Sequence, residues 1–399
     1  MALLARHHRL IRFVSLTVAA VSLSYIAHRS NLRADVTEEG LSELTSSTRD
    51  LIGSIEAERP VVVHAYISAE VPREFVAVRS RLLNVLREIE ASGNDALTVR
   101  LIEPEVHSPE AQDAIDQYGI EPVSLMNRES GRMGQMQVFM GLVFQSGPHE
   151  EVIPFLDRGL SVEYEIVRAL RVVTQEKKKV VGVVRTDATI MGNFDLQART
   201  QQPAWRVIGE LRKQYEVRSL NPGAAVPEDV DVLFVPQLSS MTEEQLGHVK
   251  TYIDAGRPAL LTVDPMPLFN VRLAPSEPML PEPGQQQQNP MFGQAPQGKP
   301  KGDYVGLLSH VGIKWDPNRV VFDKFNPNPT FRQAPPHLVF VGDREDGTTP
   351  FTGGDPVVDG LAEVVALFPG ELEASSGYES SFVPLLTTGR SGGYHPFDE

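Results

Sequence analysis

The sequence predicts an α/β protein made of two consecutive units. Short runs of consecutive apolar residues, such as Val61–Ile67 and Val180–Val184, are typical of strands buried on both faces of a sheet. Between such runs lie segments with apolar residues three and four positions apart, for example residues 74–91, and this spacing indicates amphipathic helices. In the second unit, the alternation of strands with helices implies a parallel sheet covered on both faces.

The composition narrows the class of protein. A length of 399 residues suggests two or three domains at roughly 100–200 residues each, and 41% apolar residues are enough for buried cores. The net charge of −15 disfavours nucleic acid as a partner, because nucleic-acid binding requires a basic face. The chain has no cysteine, which excludes disulfides, cysteine-bound zinc and thiol catalysis.

Residues 1–30 are predicted to form an N-terminal membrane anchor. An apolar run over residues 13–27 follows five basic residues, namely Arg6, His7, His8, Arg9 and Arg12. The run is shorter than the ~20 residues of a spanning helix, but it lengthens when it is counted from Leu10. A cleaved signal peptide, whose apolar region has ~7–15 residues, and a buried core helix are the alternatives. The basic cluster favours a cytoplasmic N-terminus, which would place the later residues on the extracytoplasmic side of the cell inner membrane.

Residues 31–58 are interpreted as a linker with a short helix capped by Ser46 or Ser47, and residues 59–176 as the first domain. The expected elements of this domain alternate as β-α-β-α-β-β-α. They lie at residues 61–67, 74–91, 97–102, 111–118, 136–145, 151–153 and 162–174. This order is that of a thioredoxin-like fold.

A thioredoxin-like fold directs attention to two places in the first domain. A redox cysteine pair would lie in the loop after Ile67, where the sequence has Ser68-Ala-Glu-Val-Pro72. The Glu121–Pro122 bond is a candidate for a cis peptide bond facing this loop, since X–Pro bonds are cis in ~5–6% of cases. Without a thiolate nucleophile, the domain is expected to be a scaffold rather than an enzyme.

Residues 177–399 form the second expected domain. Its strands are predicted at residues 180–184, 216–220, 230–235, 258–263, 320–322, 335–341 and 364–368, and its helices at residues 205–214, 242–255 and 304–312. In the first of these helices, Trp205, Ile208 and Leu211 are expected to face inward. The segment 275–302 is rich in Pro, Gln and Gly, so it is predicted to be a disordered insertion that buries little apolar surface.

The search for catalytic motifs in the sequence is negative. There is no Gly-x-Ser-x-Gly elbow, Walker A, Gly-x-Gly-x-x-Gly or His-Glu-x-x-His, so no catalytic and no metal-binding residue is predicted. The candidates for ligand binding are Asp187 and Asp264, which follow strands of the second domain. Ligands in open α/β sheets bind beyond the carboxyl ends of the strands. The alternative for each aspartate is a carboxylate that caps a turn.

Three segments resemble the GldG-like proteins, which are auxiliary subunits of ABC-2-type transporters named from gliding motility. The first is Leu32-Arg-Ala-Asp-Val-Thr-Glu-Glu-Gly-Leu-Ser-Glu-Leu-Thr-Ser-Ser-Thr48. The second is residues 110–122, which end in Tyr118-Gly-Ile-Glu-Pro122. The third is Asp231-Val-Leu-Phe-Val-Pro236 with residues 246–265, which end in Asp254-Ala-Gly-Arg-Pro-Ala-Leu-Leu-Thr-Val-Asp-Pro265. The order of the three segments is more specific than any one of them.

The resemblance implies a membrane anchor, an extracytoplasmic thioredoxin-like domain and a glutamine-amidotransferase-like, flavodoxin-like domain without catalysis. It implies an ABC permease and an ATPase subunit as partners. No cofactor is predicted. The sequence departs from the family pattern in two ways. Family members often carry a C-terminal membrane helix, and no second long apolar run occurs before Glu399. Leu44 also lies just after a position where the family often has an aromatic residue.

Together, the residues and the resemblance favour a non-catalytic, membrane-anchored accessory subunit that acts in assembly or in substrate contact. One alternative is a small-ligand sensor or a hydrolase-like enzyme with a cleft near Asp187 and Asp264, which requires a pocket with convergent polar groups. Another alternative is a periplasmic sugar-binding component, which requires two similar lobes, whereas the two halves of this sequence differ.

Overall fold

The computed structural model describes residues 44–129, 132–195, 199–280, 299–344, 347, 349–355, 357–358 and 361–396. The chain divides into two compact units, Met1–Thr174 and Gln175–Glu399. The expected membrane anchor at residues 1–30, the first motif up to residue 43 and most of the expected disordered insertion lie outside the described residues. Within the described part of the chain, no helix is long and apolar enough to cross a membrane.

The first unit is built on a four-stranded mixed sheet and a separate hairpin. Its strands are β1 Val61–Ile67, β2 Leu97–Ile102, β3 Val123–Glu129, β4 Arg132–Val138, β5 Met140–Ser146 and β6 His149–Ile153. The sheet has the order β2-β1-β5-β6, with β1 and β2 parallel and the other neighbours antiparallel. Strands β3 and β4 form the hairpin.

Helices cover both faces of this sheet. The described helices of the unit are α1 Ser46–Gly53, α2 Val76–Gly93, α3 Pro109–Tyr118 and α4 Val162–Thr174. Successive side chains of β1 point to opposite faces, so Val63 and Ala65 pack in the core with α1, α2 and α4, whereas Tyr66 packs in a second cluster with α3. The cap residues at the two ends of α3 are Ser108, whose side chain accepts from the backbone N–H of Ala111, and Gly119, with φ 65°.

Three expectations for the first unit are corrected. Thr45, rather than Ser46 or Ser47, caps α1 by accepting a hydrogen bond from the backbone N–H of Thr48. The single strand expected at residues 136–145 is divided between β4 and β5, because the backbone of Phe139 bonds with Ser68 instead. The bond before Pro122 is trans, as are the other described peptide bonds, in keeping with the ~0.5–1 kcal/mol preference of X–Pro for trans.

The second unit contains a four-stranded parallel sheet, which confirms the predicted α/β class with a parallel sheet. Its strands up to residue 261 are β7 Val180–Val184, β8 Asn193–Asp195, β9 Thr200–Gln202, β10 Glu216–Leu220, β11 Val232–Val235 and β12 Ala259–Leu261. The sheet order is β10-β7-β11-β12, and β8 pairs with β9. Helices α5 Arg206–Gln214 and α6 Glu243–Asp254 supply buried side chains to separate apolar clusters, Ile208 to one and Leu246 to the other.

The bounds of α6 follow from local sequence signals. Thr242 and Gln245 form a reciprocal capping box at its start. The helix stops before Gly256, which has a left-handed φ of 75° that glycine adopts without steric cost. The sequence prediction of this helix is therefore correct to within one residue at each end.

The remainder of the second unit is a short helix followed by antiparallel strand pairs. These elements are α7 Tyr304–His310, β13 Ile313–Trp315, β14 Arg319–Asp323, β15 Leu338–Gly342, β16 Glu363–Leu367, β17 Leu372–Ala374 and β18 Gly392–Pro396. The pairs are β13 with β17, β14 with β18, and β15 with β16. The sequence prediction contained β14, β15 and β16 but missed β13, β17 and β18, of which β13 and β17 have three residues each.

Candidate functional site

The carboxyl ends of β7, β11 and β12 lie at one edge of the parallel sheet, because parallel strands all end on the same side. Beyond this edge is a cavity of about 580 Å³. Small-molecule sites have volumes of roughly 300–1,000 Å³. The residues that follow β11 and β12 line the cavity, together with the start of α5 and parts of the segment 315–372 in the same unit.

Aromatic side chains form much of the cavity wall. Trp205, the residue before α5, packs edge-to-face on Phe269 with the ring centroids 4.8 Å apart. The two side chains keep 39% and 48% of their surface exposed, so part of each ring remains accessible to a ligand. Trp315 on β13 is buried and also lines the cavity. Leu367 and Leu372, which lie far along the chain from the strand-end loops, add aliphatic side chains to the cavity wall.

Gln237 connects the loops beneath the cavity. It follows β11 with a left-handed φ of 51°, a conformation that costs a residue other than glycine about 1–3 kcal/mol. Its backbone N–H donates to Thr262 Oγ1 at 3.1 Å. Its side-chain Nε2 donates to Ser239 Oγ at 3.1 Å and to the carbonyl oxygens of Asp264 and Leu273 at 3.3 and 3.2 Å. These bonds hold the ends of β11 and β12 against the turn at residues 271–273.

Asp264 is the one charged side chain among the described residues that line the cavity. Its Oδ1 accepts a hydrogen bond from the backbone N–H of Met266 at 2.8 Å, as in a turn-capping carboxylate. Burial raises the pKa of the Asp264 carboxyl, and the bond from Met266 opposes part of that shift. The same side chain therefore caps a turn and lies in the cavity wall.

Asp187, the other candidate, is absent from the described lining of this cavity, although its neighbour Ala188 belongs to it. The Asp187 Oδ2 atom is buried and has no hydrogen-bond partner among the described residues. Burial raises the pKa of Asp187, and the nearby Lys301 ammonium acts in the opposite direction. Lys301 Nζ donates to the carbonyl oxygen of Ala274 at 2.7 Å. The two aspartates that the sequence suggests for one cleft therefore have different surroundings.

The corresponding strand end of the first unit is closed. Ser68 follows β1, where a redox pair would lie, and it is buried. Its backbone N–H donates to the carbonyl oxygen of Phe139 at 3.0 Å, and its Oγ accepts from the backbone N–H of Phe139 at 2.9 Å. Its carbonyl oxygen accepts from Arg79 Nε at 2.9 Å. The backbone N–H, the carbonyl oxygen and the Oγ of Ser68 therefore each have a hydrogen-bond partner inside the unit.

The cavity of the second unit is lined by apolar surface and a few polar side chains. Its described lining combines aromatic and aliphatic side chains with the amide of Gln237, the hydroxyl of Thr262 and the carboxylate of Asp264. None of these lining residues is Lys, Arg or His. Across all the residues that the structure describes, no group of three or more His, Asp or Glu side chains is placed to hold a metal ion.

Sequence reasoning missed most of the cavity wall. It expected Trp205 on the inward face of α5, whereas this residue precedes the helix and lines the cavity. It singled out neither Gln237 nor Trp315. The rarity of tryptophan was a usable signal, because the chain has two tryptophans and both line this cavity.

Two segments of the chain match known protein-family models. Residues 178–395 match the model of a family described as an ABC-type uncharacterized transport system, and this match covers more than half of the chain. The protein belongs to this ABC transport auxiliary family. Membership of the family indicates an accessory role in ABC transport, and it assigns the second unit, with its strand-end cavity, to the family domain.

The first unit has a separate match. Residues 38–145 match the model of a domain of unknown function, DUF7088. No curated protein and no solved structure matches the chain. The family assignment of this ABC transport auxiliary protein therefore rests on the family model over residues 178–395.

Proposed function

We propose that this protein is a non-catalytic accessory subunit of an ABC-2-type transport system of the gliding-motility kind. The observation that carries the proposal is the family match over residues 178–395. The three motifs that resemble GldG-like proteins support the same class. In this role the protein contacts partners or substrate, and a separate subunit hydrolyses ATP, since the sequence has no Walker A motif.

The proposal includes a single-pass anchor at residues 1–30 in the cell inner membrane, with both units on the extracytoplasmic side. The support is the apolar run at residues 13–27 and the basic cluster that precedes it. An extracytoplasmic position allows the two units to contact substrate as it leaves or approaches a permease.

Both units act as binding domains in this account. For the first unit, the sheet order β2-β1-β5-β6 supports a thioredoxin-like scaffold, and a protein without cysteine has no thiol for redox chemistry. For the second, the parallel sheet with helices packed on it supports a glutamine-amidotransferase-like, flavodoxin-like domain.

The second unit also offers edges for a partner. Within the described residues, β10 and β12 are the outer strands of the parallel sheet. Outer strands have unpaired backbone N–H and C=O groups, and a strand of a partner protein can pair with them. Leu260 on β12 is 53% exposed and adds apolar area at this edge.

The experiment is co-purification of the full-length chain with a C-terminal affinity tag from membranes of its native host in mild detergent. The expected result is recovery of an ABC permease and an ABC ATPase, identified by mass spectrometry. A variant without residues 1–30 serves as the matched control, and it should leave the membrane fraction and lose the permease. Repeated purifications that contain the full-length chain but no ABC permease or ATPase would falsify the proposal.

A second candidate function is binding of a small molecule, and the cavity of about 580 Å³ favours it. The hydrolase-like version of this candidate has little support at the site. Asp264 is the one titratable side chain in the described lining, whereas general acid–base catalysis of hydrolysis usually relies on more than one positioned group.

A further inference from the structure

The described lining of the strand-end cavity in the second unit contains an acidic side chain but no basic one. Of the eighteen described residues in its lining, Asp264 has a charged side chain and none is basic. A buried anion requires a basic side chain or several hydrogen-bond donors, because burial of an unpaired charge is costly. The lining therefore disfavours carboxylate, phosphate and sulfonate ligands.

The polar side chains of the wall also have few free donors. The Gln237 amide nitrogen donates to Ser239 Oγ and to two backbone carbonyl oxygens. The Thr262 hydroxyl lies 3.4 Å from the carbonyl oxygen of Val235, to which it donates. Apart from the indole N–H groups, the side-chain donors of the described lining are thus committed within the fold. Besides the two indole N–H groups, the lining side chains offer a ligand acceptor character and negative charge.

The aromatic wall has the same preference. The faces of Trp and Phe rings carry negative partial charge and attract a cation within about 6 Å of the ring centroid. Trp205, Phe269 and Trp315 line one cavity with the carboxylate of Asp264. Since the backbone N–H of Met266 engages Asp264 Oδ1, Oδ2 is the oxygen left to face a ligand. Aromatic rings beside a single carboxylate are the usual recognition elements for substituted ammonium groups.

We propose that this cavity binds a small organic cation with an apolar body, such as a substituted ammonium compound. Asp264 supplies the counter-charge, and the Trp205–Phe269 pair supplies ring faces for the cationic group. Leu367 and Leu372 contact the apolar body. Asp187 takes no part, because it is absent from the described lining. The inference is independent of the proposed transport role, since it rests on the cavity alone.

The chain provides its own reporter for a test. Both of its tryptophans line the cavity, so intrinsic tryptophan fluorescence of the full-length protein responds to occupancy of this site. The probes are benzyltrimethylammonium, its uncharged isostere neopentylbenzene, and the anion phenylmethanesulfonate. The expected result is a saturable fluorescence change and a rise in Tm with the cation. Affinity for the isostere should be roughly tenfold weaker or worse, and the sulfonate should not bind.

Three variants separate the contributions. Asp264→Asn keeps an oxygen that accepts from the backbone N–H of Met266, so the turn is retained while the charge is lost. Affinity for the cation should fall by roughly tenfold, and affinity for the isostere should change little. Asp187→Asn is the matched control and should leave affinity unchanged. Phe269→Leu preserves both fluorophores and should weaken cation binding by about threefold.

Each contrary outcome overturns the proposal. Equal affinity for the cation and the isostere would mean an apolar site without charge selection. Tighter binding of the sulfonate would mean that the electrostatic argument is wrong. Absence of any saturable change in fluorescence or Tm with the cation, in a folded wild-type protein, would remove the site itself. An equal loss of affinity in Asp187→Asn and Asp264→Asn would deny Asp264 its specific role.

Discussion

In the first unit the loop after β1 bonds back onto its own unit, whereas in the second unit the loops after β11 and β12 border a cavity of about 580 Å³. Both loops follow buried strands of α/β units. The difference lies in the segment that comes next to the strand end. In the first unit the backbone of Phe139 bonds with the backbone N–H and the Oγ of Ser68. In the second unit Phe269 and the segment 367–372 form cavity walls instead.

The two strand ends therefore differ in their access to a ligand, although both follow buried strands of α/β units. A strand end whose backbone and side-chain groups are all bonded inside the fold is a structural joint. In the second unit, hydrogen bonds from Gln237 fix the loops at the strand ends, and aromatic side chains line the cavity beyond them. A ligand in such a cavity displaces water from apolar surface. The proposed binding of a small molecule is accordingly expected in the second unit.

The largest expected effect concerns buried ion pairs. In the second unit, Asp323 and Arg344 are paired at 2.8 Å, with side chains 0% and 2% exposed. Asp323→Ala leaves the guanidinium buried without its counter-charge, so it should lower the free energy of unfolding by about 3–5 kcal/mol. Guanidinium denaturation followed by tryptophan fluorescence measures this, because both tryptophans belong to the second unit.

The control for this variant lies in the first unit. Arg168 there contacts both Glu151 and Glu165, so Glu151→Ala leaves one partner in place. Its cost, read from the far-UV circular dichroism transition that has no counterpart in tryptophan fluorescence, should be smaller than that of Asp323→Ala. A larger cost for Glu151→Ala would contradict the view that a single uncompensated charge dominates.

The next effect compares two glycines in the two sheets. A Cβ at Gly141 on β5 would lie 2.6 Å from Ile120 Cγ2 and 2.8 Å from the backbone oxygen of Pro154. A Cβ at Gly182 on β7 would lie 2.5 Å from Leu220 Cδ1 and 2.9 Å from Val230 Cγ1. Gly141→Ala should cost about 2–3 kcal/mol, and Gly182→Ala should cost less because side-chain ends move more easily than a backbone carbonyl.

Thermal and denaturant unfolding of the two variants check this order. Tryptophan fluorescence follows the second unit alone, because both tryptophans belong to it. Far-UV circular dichroism follows the helices and strands of both units, so a transition seen by circular dichroism but not by fluorescence reports on the first unit. Equal losses in both units would mean that the sheet of the second unit is packed as rigidly as that of the first.

The smallest effect concerns pH. Burial raises the pKa of Asp264 above its unfolded value, so folding disfavours the ionised carboxylate. The contribution of Asp264 to stability therefore declines as pH rises from its unfolded pKa through its folded pKa. Asp264→Asn should therefore raise Tm slightly at neutral pH, and the difference should shrink as pH falls below the folded pKa. Tm measured across an acid-to-neutral pH series tests this, and a Tm that falls at neutral pH in the variant would contradict it.

Asp323 provides the opposite sign in the same unit. Burial raises the pKa of Asp323, but hydrogen bonds from Arg344, from Ser391 and from backbone N–H groups outweigh burial and leave that pKa lowered. Its contribution to stability is present above the unfolded pKa and is lost as pH falls through the folded pKa. Acid unfolding of the second unit should thus depend on Asp323 and not on Asp264.

Local patterns predicted much of the fold. The bounds of Leu97–Ile102, Val162–Thr174 and Val180–Val184 agree with the sequence prediction because apolar runs and helical spacing are properties of neighbouring residues. The pairing of β13 with β17 joins residues 313–315 to residues 372–374, and no local signal reports such a contact. The break at Phe139 likewise depends on Ser68, which is distant in sequence.

The candidate site was predicted in part for the same reason. The rule that ligands bind at the carboxyl ends of parallel strands directed attention to Asp264, which does line the cavity. The rule gives equal weight to Asp187, because it takes no account of which of the two side chains borders the cavity. Trp205 and Phe269 come together across 64 positions of sequence, so their pairing required the tertiary structure.

Access to the two strand ends can be measured directly with an introduced thiol. Since the chain has no cysteine, a single introduced thiol reports on its own position. Ser68→Cys places it at the closed strand end of the first unit, and Leu372→Cys places it in the cavity wall of the second, at a residue that is 50% exposed. Ala69→Cys, at the exposed neighbour of Ser68, is the control for position.

The measured quantity is the rate of reaction with iodoacetamide in the native protein, divided by the rate in the denatured protein. We expect Leu372→Cys and Ala69→Cys to react at least about tenfold faster than Ser68→Cys, since thiol reactivity follows exposure of the thiolate. We also expect benzyltrimethylammonium to slow the reaction of Leu372→Cys alone. A rate for Ser68→Cys equal to that for Leu372→Cys would contradict the claim that the first strand end is closed and the second is open.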